Sequence, residues 1–193
     1  MKRRDLIALS VTALLPAAVA RSGHAQPLGE ASSDVSIEYD LGQDGWSSFA
    51  LRVGDKSTDI GTFSYLTDAL GDLVRTALLV ATSATRAEFR LDGEPFEWRI
   101  ILDEGWLPSM RLRILTFPDS LARAPEAQGI VDFEARVRPD DFARAVQKAA
   151  RGIWNTYGAT GYQKAWNGPK GFPLRALTAL DAALATQEPT ILP

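Results

Sequence analysis

The sequence predicts an α+β domain: an antiparallel sheet of about five or six strands with three or four helices packed on one face. Three observations predict it. Four runs between Arg86 and Arg138 alternate apolar and charged residues with a period of two, the pattern of strands with one dry and one wet face. Three further stretches repeat apolar residues at three- and four-residue spacing, the period of helices buried along one stripe. The runs of strands and helices are grouped rather than strictly alternating, which favours segregated layers over a parallel sheet.

In chain order, Phe49, Leu51 and Val53 alternate with Ser48 and Arg52 and stop at Gly54-Asp55, and a second short strand is predicted over 57–63. A helix over 65–82 carries Leu66, Leu70, Leu73, Val74, Ala77, Leu78 and Ala81 on one stripe, with Ser64 or Thr67 able to cap it. Ala87, Phe89 and Leu91 then alternate with Arg86, Glu88 and Arg90. After the turn Asp92-Gly93-Glu94-Pro95, Phe96, Trp98, Ile100 and Leu102 alternate with Glu97 and Arg99. Met110, Leu112 and Ile114 alternate with Arg111 and Arg113, and Val131, Phe133, Ala135 and Val137 with Asp132, Glu134, Arg136 and Arg138. Pro139 suits a first helical position, and Asp140 and Asp141 favour its positive end. The stripe Phe142, Ala145, Val146, Ala149, Ile153, Trp154 runs to a stop at Gly158. A short helix over 159–166 and a last one over 173–185, striped by Leu174, Leu177, Leu180 and Leu184, complete the domain.

Domain organisation follows from composition. Residues 1–25 read as a cleavable export signal, 26–45 as a flexible linker or short strand, 46–187 as one domain and 188–193 as a tail. The signal opens with Lys2, Arg3 and Arg4, continues in an apolar run from Leu6 to Ala20, and offers Gly23-His24-Ala25 for cleavage after Ala25. A second, weaker cleavage motif is Ala18-Val19-Ala20. The apolar run is roughly fifteen residues, whereas a spanning helix needs about 20. The motif Arg3-Arg4-x-Leu6-Ile7 resembles the twin-arginine class of export signals. Lys2 stands where that class has Ser or Thr, which leaves the general secretory route open. The expected location is outside the cytoplasm, in the periplasm, with no stable membrane span after cleavage.

Cleavage there removes four basic residues, Asp5 and the only histidine, His24. The remaining chain has 17 basic and 23 acidic residues and a formal charge of −6. A negative domain repels phosphate backbones, so nucleic acid is not an expected partner. With neither histidine nor cysteine after residue 25, Ser-His-Asp and Cys-His catalysis, the usual zinc, copper and haem ligands, iron–sulfur clusters and disulfides are excluded. Carboxylate or Ser/Lys chemistry and oxygen-ligated metals are what composition leaves. No calcium-loop spacing and no Gly-rich phosphate loop is present. Neither a metal site nor a cofactor is expected.

Three sets of residues are candidates for a site. Arg111 and Arg113 belong to a wet face of seven arginines (with Arg86, Arg90, Arg99, Arg136 and Arg138), whose forks could grip a carboxylate or phosphate, or pair with the interleaved acids. Leu115, Phe117 and Ile130 interrupt that face and would form an apolar contact patch, unless segment 35–53 covers them. Trp154, Tyr162 and Trp166, among Asn155, Gln163 and Asn167, could line an aromatic groove, or anchor the core. The carboxylate pairs Asp103-Glu104 and Asp140-Asp141 are the only acid–base candidates, and turn or helix-end roles explain both.

The runs Ser64-Tyr65-Leu66-Thr67-Asp68-Ala69-Leu70-Gly71-Asp72-Leu73 and Phe142-Ala143-Arg144-Ala145-Val146, with Gly161-Tyr162-x-x-x-Trp166 and Phe172-Pro173-Leu174, resemble an uncharacterised family of small bacterial α+β domains. The likeness covers residues 46–186, implies the fold and brings no catalytic residues with it. Members usually lack an export signal. The expected function is a non-catalytic binding domain of the bacterial envelope that recognises a protein or peptide, of an immunity or inhibitor kind. The competing expectation is a carboxylate-dependent glycan hydrolase using the aromatic groove. Oligomeric state is left open.

Overall fold

The computed structural model describes residues 31–106 and 108–187. The predicted export signal, with Arg3, Arg4, Leu6, Ile7 and Ala25, and the predicted tail over 188–193 lie outside the described residues.

The described residues form seven strands and three helices in an α+β arrangement, with two antiparallel sheets instead of the single sheet of five or six strands that periodicity predicts. The first sheet is a meander of β1 (Val35–Leu41), β2 (Trp46–Val53) and β3 (Lys56–Ser64). The second is a meander of β4 (Ala87–Asp92), β5 (Glu97–Asp103), β6 (Met110–Phe117) and β7 (Ile130–Val137). Between them runs α1 (Ala69–Ala81). Every strand pairs only with its neighbours in sequence, so the helix that separates β3 from β4 also separates the sheets. The two sheets touch along β7. The Ser32 N–H donates to the Arg136 carbonyl at 3.3 Å, and Lys56 Nζ donates to the Glu134 carbonyl at 3.1 Å.

β1 falls in the segment read as linker or short strand. Its apolar residues Val35, Ile37, Tyr39 and Leu41 occupy alternate positions and turn toward the helices, while Glu38 and Asp40 face out. α1 begins four residues later than its stripe predicts, because Ser64 still belongs to β3 and Tyr65 and Leu66 make the turn between them. α2 (Pro139–Trp166) takes in both helices predicted over 139–166. Gly158 joins its halves with φ +59° and ψ −171°, a conformation that a side chain disfavours. Past that joint the helix resumes, carrying Tyr162 and Trp166 inward. α3 (Leu174–Ala185) buries Leu177, Leu180 and Leu184.

The inner faces of both sheets and the apolar stripes of all three helices share one core, with Phe63, Leu70, Ile100, Leu112, Phe142 and Trp166 fully enclosed. Burying each such side chain contributes about 1.5–3 kcal/mol. With no cysteine in the chain, this burial carries the stability. Among the described residues no helix is long and apolar enough to cross a membrane.

Candidate functional site

The wet face of the four-stranded sheet is internally neutralised. Asp103, at the end of β5, accepts from Arg111 Nε at 3.1 Å, pairs closely with Arg113, and lies 3.5 Å from Arg86. Glu126 reaches back from a one-turn 3-10 helix (Glu126–Gln128) to Arg113 at 2.7 Å and Arg86 at 2.8 Å. Arg136 binds Glu104 at 2.7 Å and the Ser109 carbonyl at 2.6 Å. Glu97 holds Arg99 at 2.5 Å with both side chains 4% exposed, and Arg90 approaches Glu97 at 3.5 Å. Arg111 and Arg113, predicted as ligand-gripping residues, therefore spend their forks on Asp103, Glu104 and Glu126.

The predicted apolar patch is also not open. Leu115 and Phe117 are 1% exposed. Residues 118–129 fold back over them as a strap and close a second small apolar cluster of Ile101, Leu115 and Phe117 under Ala124. The strap is tied by Arg99 Nη2 to the Ala124 carbonyl at 3.0 Å and by the Ser120 N–H to the Pro95 carbonyl at 2.7 Å. Gly129 passes so close to Phe117 that a Cβ there would lie 2.6 Å from the ring. The cover is thus the strap and not segment 35–53. Ile130 is 66% exposed but does not join Leu115. A bulge sets Leu115 opposite Val131 and Thr116 opposite Ile130, so Ile130 turns to the other face of the sheet.

The strap makes stability depend on pH. Burial pushes the Asp103 carboxyl up, but the bonds from Arg111 and Arg113 outweigh it and hold it below its ordinary value. The bond from Arg113 does the same for Glu126, with Arg86 adding to it and burial opposing. Carboxyls depressed in the folded state stabilise it above the ordinary value of about 4 and lose that contribution as pH falls through their folded values. Burial raises the Asp132 carboxyl, which acts in the opposite direction. The melting temperature should fall between pH 5 and pH 3, and fall less in Glu126→Gln, as thermal melts by circular dichroism would show.

The aromatic groove is replaced by an aromatic core. Tyr162 and Trp166 are 0% exposed. Trp166 packs 6.4 Å from Tyr162 and 6.5 Å from Phe63 between ring centroids, and Tyr162 sits edge-on to Phe172 at 5.4 Å. Burial pushes the Tyr162 hydroxyl well above its usual value. Trp154 is half-buried with its ring 4.8 Å from Phe172. The helical spacing that brings these rings together also points them inward once α2 turns at Gly158. Of the carboxylate pairs, Asp103 and Glu104 are held by arginines, and Asp140 and Asp141 occupy the first turn of α2.

What the structure does open is a groove of about 580 Å³ between β1 and α2. β1 is an edge strand. The Asp34 carbonyl accepts from the Gly54 N–H at 2.8 Å, which continues the register that sets Val35 opposite Val53. Backbone groups in an antiparallel ladder alternate between bonding the neighbour and facing away. Ser36, Glu38 and Asp40 thus bond β2, while Val35, Ile37, Tyr39 and Leu41 turn their backbone groups to the open edge. Tyr157 from α2 caps the last of these, its hydroxyl donating to the Leu41 carbonyl at 3.3 Å. The facing wall is built from Ala145, Ala149, Gly152 and Thr156 of α2, four small residues at helical spacing. A Cβ at Gly152 would meet nothing within 4 Å, so the wall stands back from the strand. The outer face of β1 presents Glu38 and Asp40, neither with an ion-pair partner among the described residues. None of these residues is a candidate on sequence grounds. The available signals are the alternation within 35–41 and the small-residue row on α2, which only the fold brings together.

No protein-family model, curated protein or solved structure matches the chain.

Proposed function

We propose that this chain is a non-catalytic, peptide-binding domain of the bacterial envelope, which captures an extended segment of a partner protein as a fourth strand on β1. The observation that carries this reading is the unpaired edge of β1 facing the small-residue wall of α2 across an open groove. An exposed edge offers a row of backbone donors and acceptors to another chain. Strand addition uses such a row for affinity, and the neighbouring wall for choosing side chains. Small residues on α2 leave room for the partner's inward-facing side chains. Export rests on the leader with Arg3 and Arg4, and the envelope is where such a partner would be met. An inhibitor or immunity protein could use strand addition to occupy a partner's extended segment.

Phage display of extended heptapeptides against the full chain tests the reading. Selected peptides should slow amide exchange at Val35, Ile37 and Tyr39, and lose most of their affinity for Gly152→Trp. That indole would fill the groove from a helix position with free space around it, so the domain should keep its fold. Peptides that bind but leave those three amides exchanging freely would overturn the proposal.

A further inference from the structure

The geometry points to a particular chemistry for the captured strand: Lys or Arg at alternate positions, with apolar residues between them. This rests on the strand-addition reading and adds the selection rule. Glu38 and Asp40 lie two residues apart on β1, so their side chains share its solvent face. Both are exposed and without an ion-pair partner among the described residues. Asp59 extends the negative face inward, because Glu38 stands opposite Ala50 and Ala50 opposite Asp59 across the sheet. A strand laid along β1 would set residues i and i+2 beside the two carboxylates, where opposite charges attract and like charges repel. Residues i−1, i+1 and i+3 would face Ala145, Ala149 and Gly152, a wall of small uncharged residues that favours apolar side chains opposite it. Lys148, on α2, is the one cation among the residues that line the groove, against the two carboxylates of Glu38 and Asp40.

The same charges argue against a second copy of this chain as the occupant. Antiparallel pairing of β1 with β1 about a two-fold axis would bring the Glu38 and Asp40 carboxylates of the two copies together, at a cost on both sides of the axis. The occupant is therefore a foreign, basic, extended peptide.

Two synthetic fluorescent heptapeptides test this with the full chain: Thr-Val-Lys-Ala-Lys-Val-Thr, and the same peptide with Glu in place of both Lys. Fluorescence anisotropy should show the lysine peptide binding about tenfold more tightly, the effect of two cross-strand pairs. The preference should weaken in high salt and vanish in Glu38→Gln/Asp40→Asn, whose substituted side chains are exposed and leave the core untouched. Equal binding of both peptides, with β1 amides protected, would overturn the charge rule and leave strand addition standing. A lysine preference that survives the double substitution would place recognition elsewhere and also overturn it. Failure of both peptides to bind would overturn this inference together with the groove reading beneath it.

Discussion

Replacing Trp166 with alanine should destabilise the domain by about 3–5 kcal/mol, the range for removing a fully buried large aromatic. Trp166 ends α2 with no exposed surface, and Phe63 and Tyr162 pack around it. Its removal would leave a cavity bounded by α2 and β3, elements too regular to collapse into it. A single domain has about 5–15 kcal/mol in all, so this one change could consume much of the total. Urea denaturation followed by circular dichroism measures it. Trp154→Ala is the internal comparison: the ring is half-buried against Phe172, and its loss should cost less than half as much. If the two substitutions cost the same, the kink at Gly158 does not sort these rings as described.

The second large effect is expected at the buried pair on β5. Glu97→Ala should cost about 3–5 kcal/mol, because it leaves Arg99 charged and enclosed. The Arg99 guanidinium would keep only the Ala124 carbonyl and its stacking 4.2 Å above the Phe117 ring. The double replacement Glu97→Leu/Arg99→Met should recover most of that loss, since well-packed apolar residues often match a buried ion pair. Urea midpoints for the two single changes and the double change form the cycle that separates the pair from its surroundings. A double variant as unstable as Glu97→Ala would mean that Arg99 contributes chiefly by tying down the strap.

Both expectations show where periodicity informs and where it stops. Alternation places β4 to β7 and the residues that line their dry face, and three- and four-residue spacing places all three helices, because one-sided burial imposes those periods directly. The wet face is another matter. Nothing periodic marks residues 118–129, so a charged sheet face reads as solvated although a loop covers Glu97, Arg99 and Arg113. The bulge between Ile114 and Leu115 inverts the parity that groups Ile130 with Leu115 and Phe117 in the sequence. A single inserted residue has no sequence signature and moves a side chain to the opposite face. The split into two sheets is hidden similarly, since strand patterns specify faces and not which meander a strand joins. The groove depends on a contact between Leu41 and Tyr157, 116 residues apart, beyond the reach of any local pattern.

That contact also orders assembly. Each sheet closes through hairpins between successive strands, which cost little loop entropy and form early. Bringing α2 beside β1 joins residues 116 positions apart, a closure of higher contact order than any hairpin in the two meanders. A chain in which α2 has not docked would show a bare β1 edge with no helix beside it. If the groove selects its occupant as proposed, that selectivity belongs to the completed fold, because it needs both the β1 edge and the α2 wall in place.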